Sequence, residues 1–267
     1  MNAPVSELCT IAWRNRMVQV EYQWVAPERS AAPLMVFLHE GLGSVSMWRD
    51  FPPRLCDALG WRGLVYSRPG YGRSTPCRID ERWASDFMHQ QALEVLPTLL
   101  SALGIDPCQE PPWLFGHSDG GSIALIHAAH VPKRVAGAIV LAPHILVEGV
   151  SLRSIEKARI AFQQGDLREG LARHHNDPDS AFLGWNNAWL SPDFAGWNLS
   201  SELTHIRCPL LAIQGVDDEY GTLEQIRGIA DAAPQTQLLE LPQCGHSPHR
   251  DQPLAVIAAV QRFVNPV

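Results

Sequence analysis

The stretch that most limits how this chain can fold is Pro112-Trp113-Leu114-Phe115-Gly116-His117-Ser118-Asp119-Gly120-Gly121-Ser122-Ile123-Ala124-Leu125. Trp113 to Phe115 is a short apolar run of strand type, and a helical pattern follows from Ser122 to His130. Between them, Gly116-His117-Ser118-Asp119-Gly120 spells G-x-S-x-G, which in a strand–turn–helix context sets a serine on a sharp, strained turn. Small residues two positions before and after the serine let strand and helix pack closely. The strain leaves the serine hydroxyl exposed and puts the next N–H near where an oxyanion would form. An ordinary glycine-rich turn is the alternative, and the flanking strand and helix patterns speak against it.

Strand and helix patterns alternate along the rest of the chain. Met17 to Val25 alternates apolar and polar residues, as a half-exposed strand does. Leu34 to Leu38 and Gly63 to Ser67 read as buried strands, Val135 to Leu141 and Pro209 to Gly215 as further apolar strands, and Gln237 to Leu241 as the last strand. Helices are predicted over 48–59, 85–103 and 253–264. This order implies right-handed crossovers and an α/β fold, a mostly parallel sheet with helices on both faces. From 146 to 203 no buried strand pattern occurs, only helical patches with Trp185, Trp189 and Trp197. The expected organisation is a core of 1–145 and 204–267, with a helical cap inserted at 146–203 over the carboxyl edge of the sheet.

Composition narrows the setting. A net charge of −7 argues against a nucleic-acid or acidic-membrane partner. No apolar stretch reaches spanning length, and Met1 to Glu7 lacks both parts of an export signal, so a cytoplasmic location is expected. The six cysteines are scattered, without a C-x-x-C pair or Cys/His ligand spacing, which predicts reduced structural thiols and no metal site. No cofactor is expected; a homodimer stays open.

A serine nucleophile needs a base, and the base needs a group that holds its tautomer. After the strand ending at Gly215 comes Val216-Asp217-Asp218-Glu219, and after the last strand comes Gln243-Cys244-Gly245-His246-Ser247-Pro248. Both lie on loops that leave the sheet's carboxyl edge, in the chain order Ser, acid, His. With His39-Glu40-Gly41-Leu42-Gly43 and Arg68-Pro69-Gly70-Tyr71-Gly72-Arg73-Ser74, these motifs make the chain resemble the capped, esterase-like α/β-hydrolases over nearly its whole length. The resemblance implies Ser118 as nucleophile, His246 as base and Asp218, three residues after the glycine, as acid. Asp217 is the alternative acid and His249 the alternative base. His89, His127, His130 and His205, in helical stretches or at their edges, are expected to be structural.

The resemblance further implies an oxyanion hole from the N–H groups of Gly41 and Asp119, with Leu42 as second choice in the loop. Two positions depart from the family pattern. Glu40 replaces the usual glycine and Ser67 stands where many members carry an acid. Ser118-Asp119-Gly120-Gly121 is similar to valacyclovir-hydrolase-like members, in which the acid beside the nucleophile takes a substrate ammonium. Asp119 either does the same or caps the following helix. Trp185 and Trp189 either wall the substrate pocket, with Leu42, or pack the cap. The function implied is hydrolysis of a small carboxylic ester or related acyl substrate. A C–C bond hydrolase of the meta-cleavage type and a ligand-binding protein with a silent triad are the rivals.

Overall fold

The run Leu34-Met35-Val36-Phe37-Leu38 forms strand β3 (Leu34–Leu38), and its side chains alternate between two layers of core. Val36 and Leu38 meet one layer; Met35 and Phe37 meet the other, which is why every residue of the strand is apolar. The computed structural model describes residues 6–78, 81 and 83–265. Met1 to Val5, most of the segment read for an export signal, lie outside them.

Eight strands form one sheet in the order β1-β2-β4-β3-β5-β6-β7-β8. They are β1 (Glu7–Trp13), β2 (Arg16–Val25), β3, β4 (Arg62–Ser67), β5 (Trp113–His117), β6 (Gly137–Leu141), β7 (Leu210–Gly215) and β8 (Thr236–Leu241). β3 to β8 run parallel, while β1 and β2 are antiparallel additions at one edge. Helices α1 (Phe51–Leu59), α2 (Phe87–Gln90), α3 (Leu96–Ala102) and α4 (Asp119–His130) follow the first strands. Between β6 and β7 come α5 (Gly149–Gln164), α6 (Leu167–Ala172), α7 (Pro178–Trp189) and α8 (Ser200–Leu203), with no strand. α9 (Glu224–Ala232), α10 (Pro248–Asp251) and α11 (Pro253–Val264) complete the chain.

Three details differ from the sequence reading. β1 was not expected, because the Arg14-Asn15 hairpin turn, with φ of 47° and 57°, lacks the Asn-Gly pair that usually signals one. The helix predicted over 48–59 begins only at Phe51, since Arg49 at φ 54° separates it from a 3₁₀ turn at Val45–Trp48. The helix predicted over 85–103 is interrupted by a π turn at Gln91–Val95.

Candidate active site

Ser118 closes β5 and opens α4 with φ 53° and ψ −121°, a conformation costly for any residue with a Cβ. The surrounding glycines are there for space. A Cβ on Gly116 would collide with the carbonyl of Gly120, and one on Gly120 with the carbonyl of Leu38. The elbow is thus wedged between β3 and its own helix. Ser118 is 6% exposed.

The loops after β7 and β8 bring the other two residues to it. Ser118 Oγ donates to His246 Nε2 at 2.9 Å, and His246 Nδ1 donates to Asp218 Oδ1 at 2.8 Å. Asp218 Oδ1 also accepts the N–H groups of Tyr220 (2.8 Å) and Gly221 (3.3 Å), and Oδ2 accepts Gln214 Nε2 at 3.1 Å. Burial alone would raise the Asp218 pKa, but the contact with His246 holds it below the ordinary value. Burial would likewise lower the His246 pKa; the Asp218 carboxylate overcomes it and raises it. The His246 ring lies 4.7 Å from Tyr220, and its backbone carbonyl accepts His117 Nε2–H at 2.7 Å. Asp217 is exposed and directs no side chain here.

His249, the alternative base, makes no hydrogen bond to Ser118. α10 buries it against His117, Trp48 and Phe51 at centroid distances of 4.7, 5.0 and 5.5 Å.

The loop after β3 is held from beneath. Arg68 N–H donates to His39 Nε2 at 3.0 Å, so His39 carries its proton on Nδ1 and donates to Glu40 O at 2.7 Å. Arg68 Nη2 bonds the same carbonyl at 2.9 Å. Glu40 turns its carboxylate toward His117 Nδ1 (3.5 Å) and Arg250 Nη2 (3.2 Å). Burial opposes ionisation, but His117 and Arg250 hold its pKa well below the usual carboxylate range. Leu42 is half-buried, and its carbonyl accepts His175 Nε2–H at 3.0 Å. A Cβ on Gly41 would overlap the Trp185 indole, so that ring lies directly on the loop.

The missing acid at Ser67 is supplied from elsewhere. Glu21 on β2 is buried, and its Oε2 accepts Ser67 Oγ–H at 2.7 Å and Arg73 N–H at 2.9 Å. Glu21 could not be found from the motif, because it lies on an antiparallel neighbour. Gln214, Tyr220 and His175 were missed likewise, since none carries a motif and only the fold brings them to the site; His117 stands inside the G-x-S-x-G motif, but its contact with His246 is set by the loop after β8.

Asp119 does not cap its helix through its side chain. The carboxylate is 1% exposed, and Oδ1 accepts Trp189 Nε1–H at 3.1 Å from α7. Burial raises its pKa to about 6 against the pull of Arg68 and Trp189. Oδ2 has no hydrogen-bond partner, nor do Arg68 Nε, Arg68 Nη1 and the Tyr71 hydroxyl. Trp189 also packs on Phe194, His144 and Trp197 at 4.8, 4.9 and 6.2 Å. It belongs to the aromatic interior of the helical segment and at the same time touches the residue after Ser118.

Among the described residues the one group of three metal-ligating side chains is His89, His130 and Glu202, which lies apart from this site. No helix is long and apolar enough to cross a membrane.

Residues 35–260 match the profile of the alpha/beta hydrolase family. The chain is 26% identical over 261 residues to 2-succinyl-6-hydroxy-2,4-cyclohexadiene-1-carboxylate synthase of Serratia proteamaculans, covering 88% of this chain and 94% of that one. It is 25% identical over 252 residues to 2-hydroxy-6-oxo-6-phenylhexa-2,4-dienoate hydrolase of Comamonas testosteroni, covering 82% and 83%. The crystal structure of an enol-lactonase from Burkholderia xenovorans superposes with a TM-score of 0.70 at 21% identity over 92% of this chain and 96% of that one, which concerns the fold alone.

Proposed function

Because the chain belongs to the alpha/beta hydrolase family, we propose that it is a serine hydrolase that cleaves a small carboxylic ester or related acyl substrate through a Ser118 acyl-enzyme. The observation that carries this reading is the continuous hydrogen-bonded line from Ser118 Oγ through the His246 ring to Asp218. Ser118 Oγ attacks the carbonyl carbon while His246 Nε2 takes its proton. Asp218 keeps the Nδ1 proton in place and stabilises the imidazolium. The N–H groups of Gly41 and Asp119 receive the oxyanion; Asp119 N is the first of its helix and has no acceptor within it. One such donor is worth about 2.7–4 kcal/mol. His246 then returns the proton to the leaving alcohol, and water, activated by the same ring, releases the acid.

In this reading the helical segment 146–203 is the cap, and Trp185 and Trp189 contribute to both cap packing and the pocket wall, with Leu42 at its rim. The partner is a small molecule rather than a nucleic acid or a membrane, and the location is the cytoplasm. The similarity to a dienoate hydrolase supports a second reading, C–C bond hydrolysis by the same residues. Labelling by a fluorophosphonate probe at neutral pH tests the nucleophile: modification is expected at Ser118, and an unlabelled Ser118 overturns the proposal. Turnover of short esters, thioesters, amino-acid esters and a dienoate substrate then decides between the two bonds.

A further inference from the structure

His89, His130 and Glu202 come from three separate elements and meet at one point. His89 sits on α2 just before the π turn, His130 is the last residue of α4, and Glu202 lies on α8. His89 Nε2 is 3.0 and 3.1 Å from the two Glu202 oxygens, and His130 Nε2 is 2.8 Å from Oε2. One ligand atom from each residue falls within a 4.8 Å span. The partners are 113 and 72 residues from Glu202 in sequence, so no ligand spacing could reveal the group. We propose that His89, His130 and Glu202 form a binding site for a divalent transition-metal ion of the zinc class, clamping the end of the helical segment to the nucleophile helix.

The donor set fits that ion. Two imidazole nitrogens and one carboxylate oxygen suit zinc, and three protein ligands leave a fourth position for water. Each imidazole now approaches the carboxylate through Nε2; losing that proton leaves a lone pair aimed at the same spot. His130 ends a twelve-residue helix, where the backbone dipole favours positive charge. π turns within helices are frequent at functional sites, and one begins two residues after His89. The length of α4, at about 1.5 Å per residue, puts the ion roughly 18 Å from Ser118. It therefore takes no part in the chemistry there, and its effect is to hold α8 against α2 and α4.

The test uses the full chain after treatment with a chelator and gel filtration. Zn²⁺ at about a hundredfold excess over its dissociation constant is expected to raise Tm by about 5 °C. Co²⁺ is expected to give visible absorption bands of low-coordinate geometry that Zn²⁺ then displaces. His130→Ala and Glu202→Gln are expected to remove both signals. The metal-free Tm and circular dichroism of each variant report whether it folds, and His130, with a side chain 43% exposed, is a mild site to truncate. Absence of a Zn²⁺ shift in the parent chain, or an equal shift and the same Co²⁺ bands in both folded variants, overturns the proposal and leaves a hydrogen-bonded cluster only.

Discussion

On one side of Ser118, Asp218 and His246 are tied at every side-chain polar atom, and on the other several buried polar atoms have no protein partner. Asp218 accepts four hydrogen bonds with its two oxygens, and His246 is held through both ring nitrogens and its backbone. Across Ser118, Asp119 Oδ2, Arg68 Nε and Nη1 and the Tyr71 hydroxyl remain unpartnered although they are buried. Leaving such a group unsatisfied costs about 1–3 kcal/mol, more when it is charged. Asp218 and His246 themselves are held in one geometry, although Gln214 Oε1 and His144 Nδ1 beside them are also unpartnered, whereas Asp119 and Arg68 keep polar capacity on the very groups that face Ser118's helix. In the proposed hydrolysis the former pair would hold the reacting groups and the latter pair would meet a polar group of the substrate.

Substitutions break this comparison most sharply at its centre. Ser118→Ala is expected to lower kcat for p-nitrophenyl acetate by up to about 10⁶ with the fold retained, as circular dichroism would show. More than a tenth of parental activity would remove Ser118 from the chemistry. On the tied side, Asp218→Asn is expected to cost about 10⁴ in kcat, because the amide favours the wrong imidazole tautomer. Asp217→Asn, at an exposed carboxylate, should leave kcat near the parental value; the reverse order would move the acid one residue upstream.

On the open side, Asp119→Asn should lower kcat/KM for an amino-acid ester about 10- to 100-fold and barely affect the ester lacking the amino group. A substrate ammonium would lose a charge-assisted contact of roughly 1.5–3 kcal/mol, while the backbone donor stays. Equal losses on both esters would exclude an ammonium partner. Stability gives an independent reading of the same residue. An acid whose folded pKa is raised, here from 3.8 to about 6, favours folding in its protonated form. Its contribution is therefore fullest below pH 3.8 and is lost as pH rises through about 6, a difference of up to about 3 kcal/mol. Denaturant midpoints of the parent chain should fall between pH 4 and pH 8 by a component that Asp119→Asn abolishes.

The smallest expected effect sharpens the tied side. His246 must be neutral to accept the serine proton, and Asp218 raises its pKa above 6.5. The acid limb of the kcat/KM profile should therefore lie above pH 6.5, with activity falling as pH drops through it. In Asp218→Asn the counter-charge is gone and burial dominates, so the limb should move to lower pH. A limb that stays in place would assign it to another group.

What the amino-acid order determined by itself was local. The glycines around Ser118, the apolar runs of β3 to β7 and the loops carrying Asp218 and His246 each express a constraint within a few residues: backbone clash, two-sided burial, or a turn after a strand. Such constraints are written where they act, so the parallel strands of the sheet and the candidate site residues were legible, whereas β1 was not. Contacts between distant segments were not. The carboxylate beneath the Arg68–Ser74 turn comes from Glu21 on β2, Asp119 is engaged by Trp189 from α7, and Glu40 is drawn aside by Arg250 from α10. His89, His130 and Glu202 meet only where three helices converge. In each case the residue types are unremarkable along the chain, and only the packing of helices on the sheet chooses which side chains share a buried space and must satisfy one another's charge.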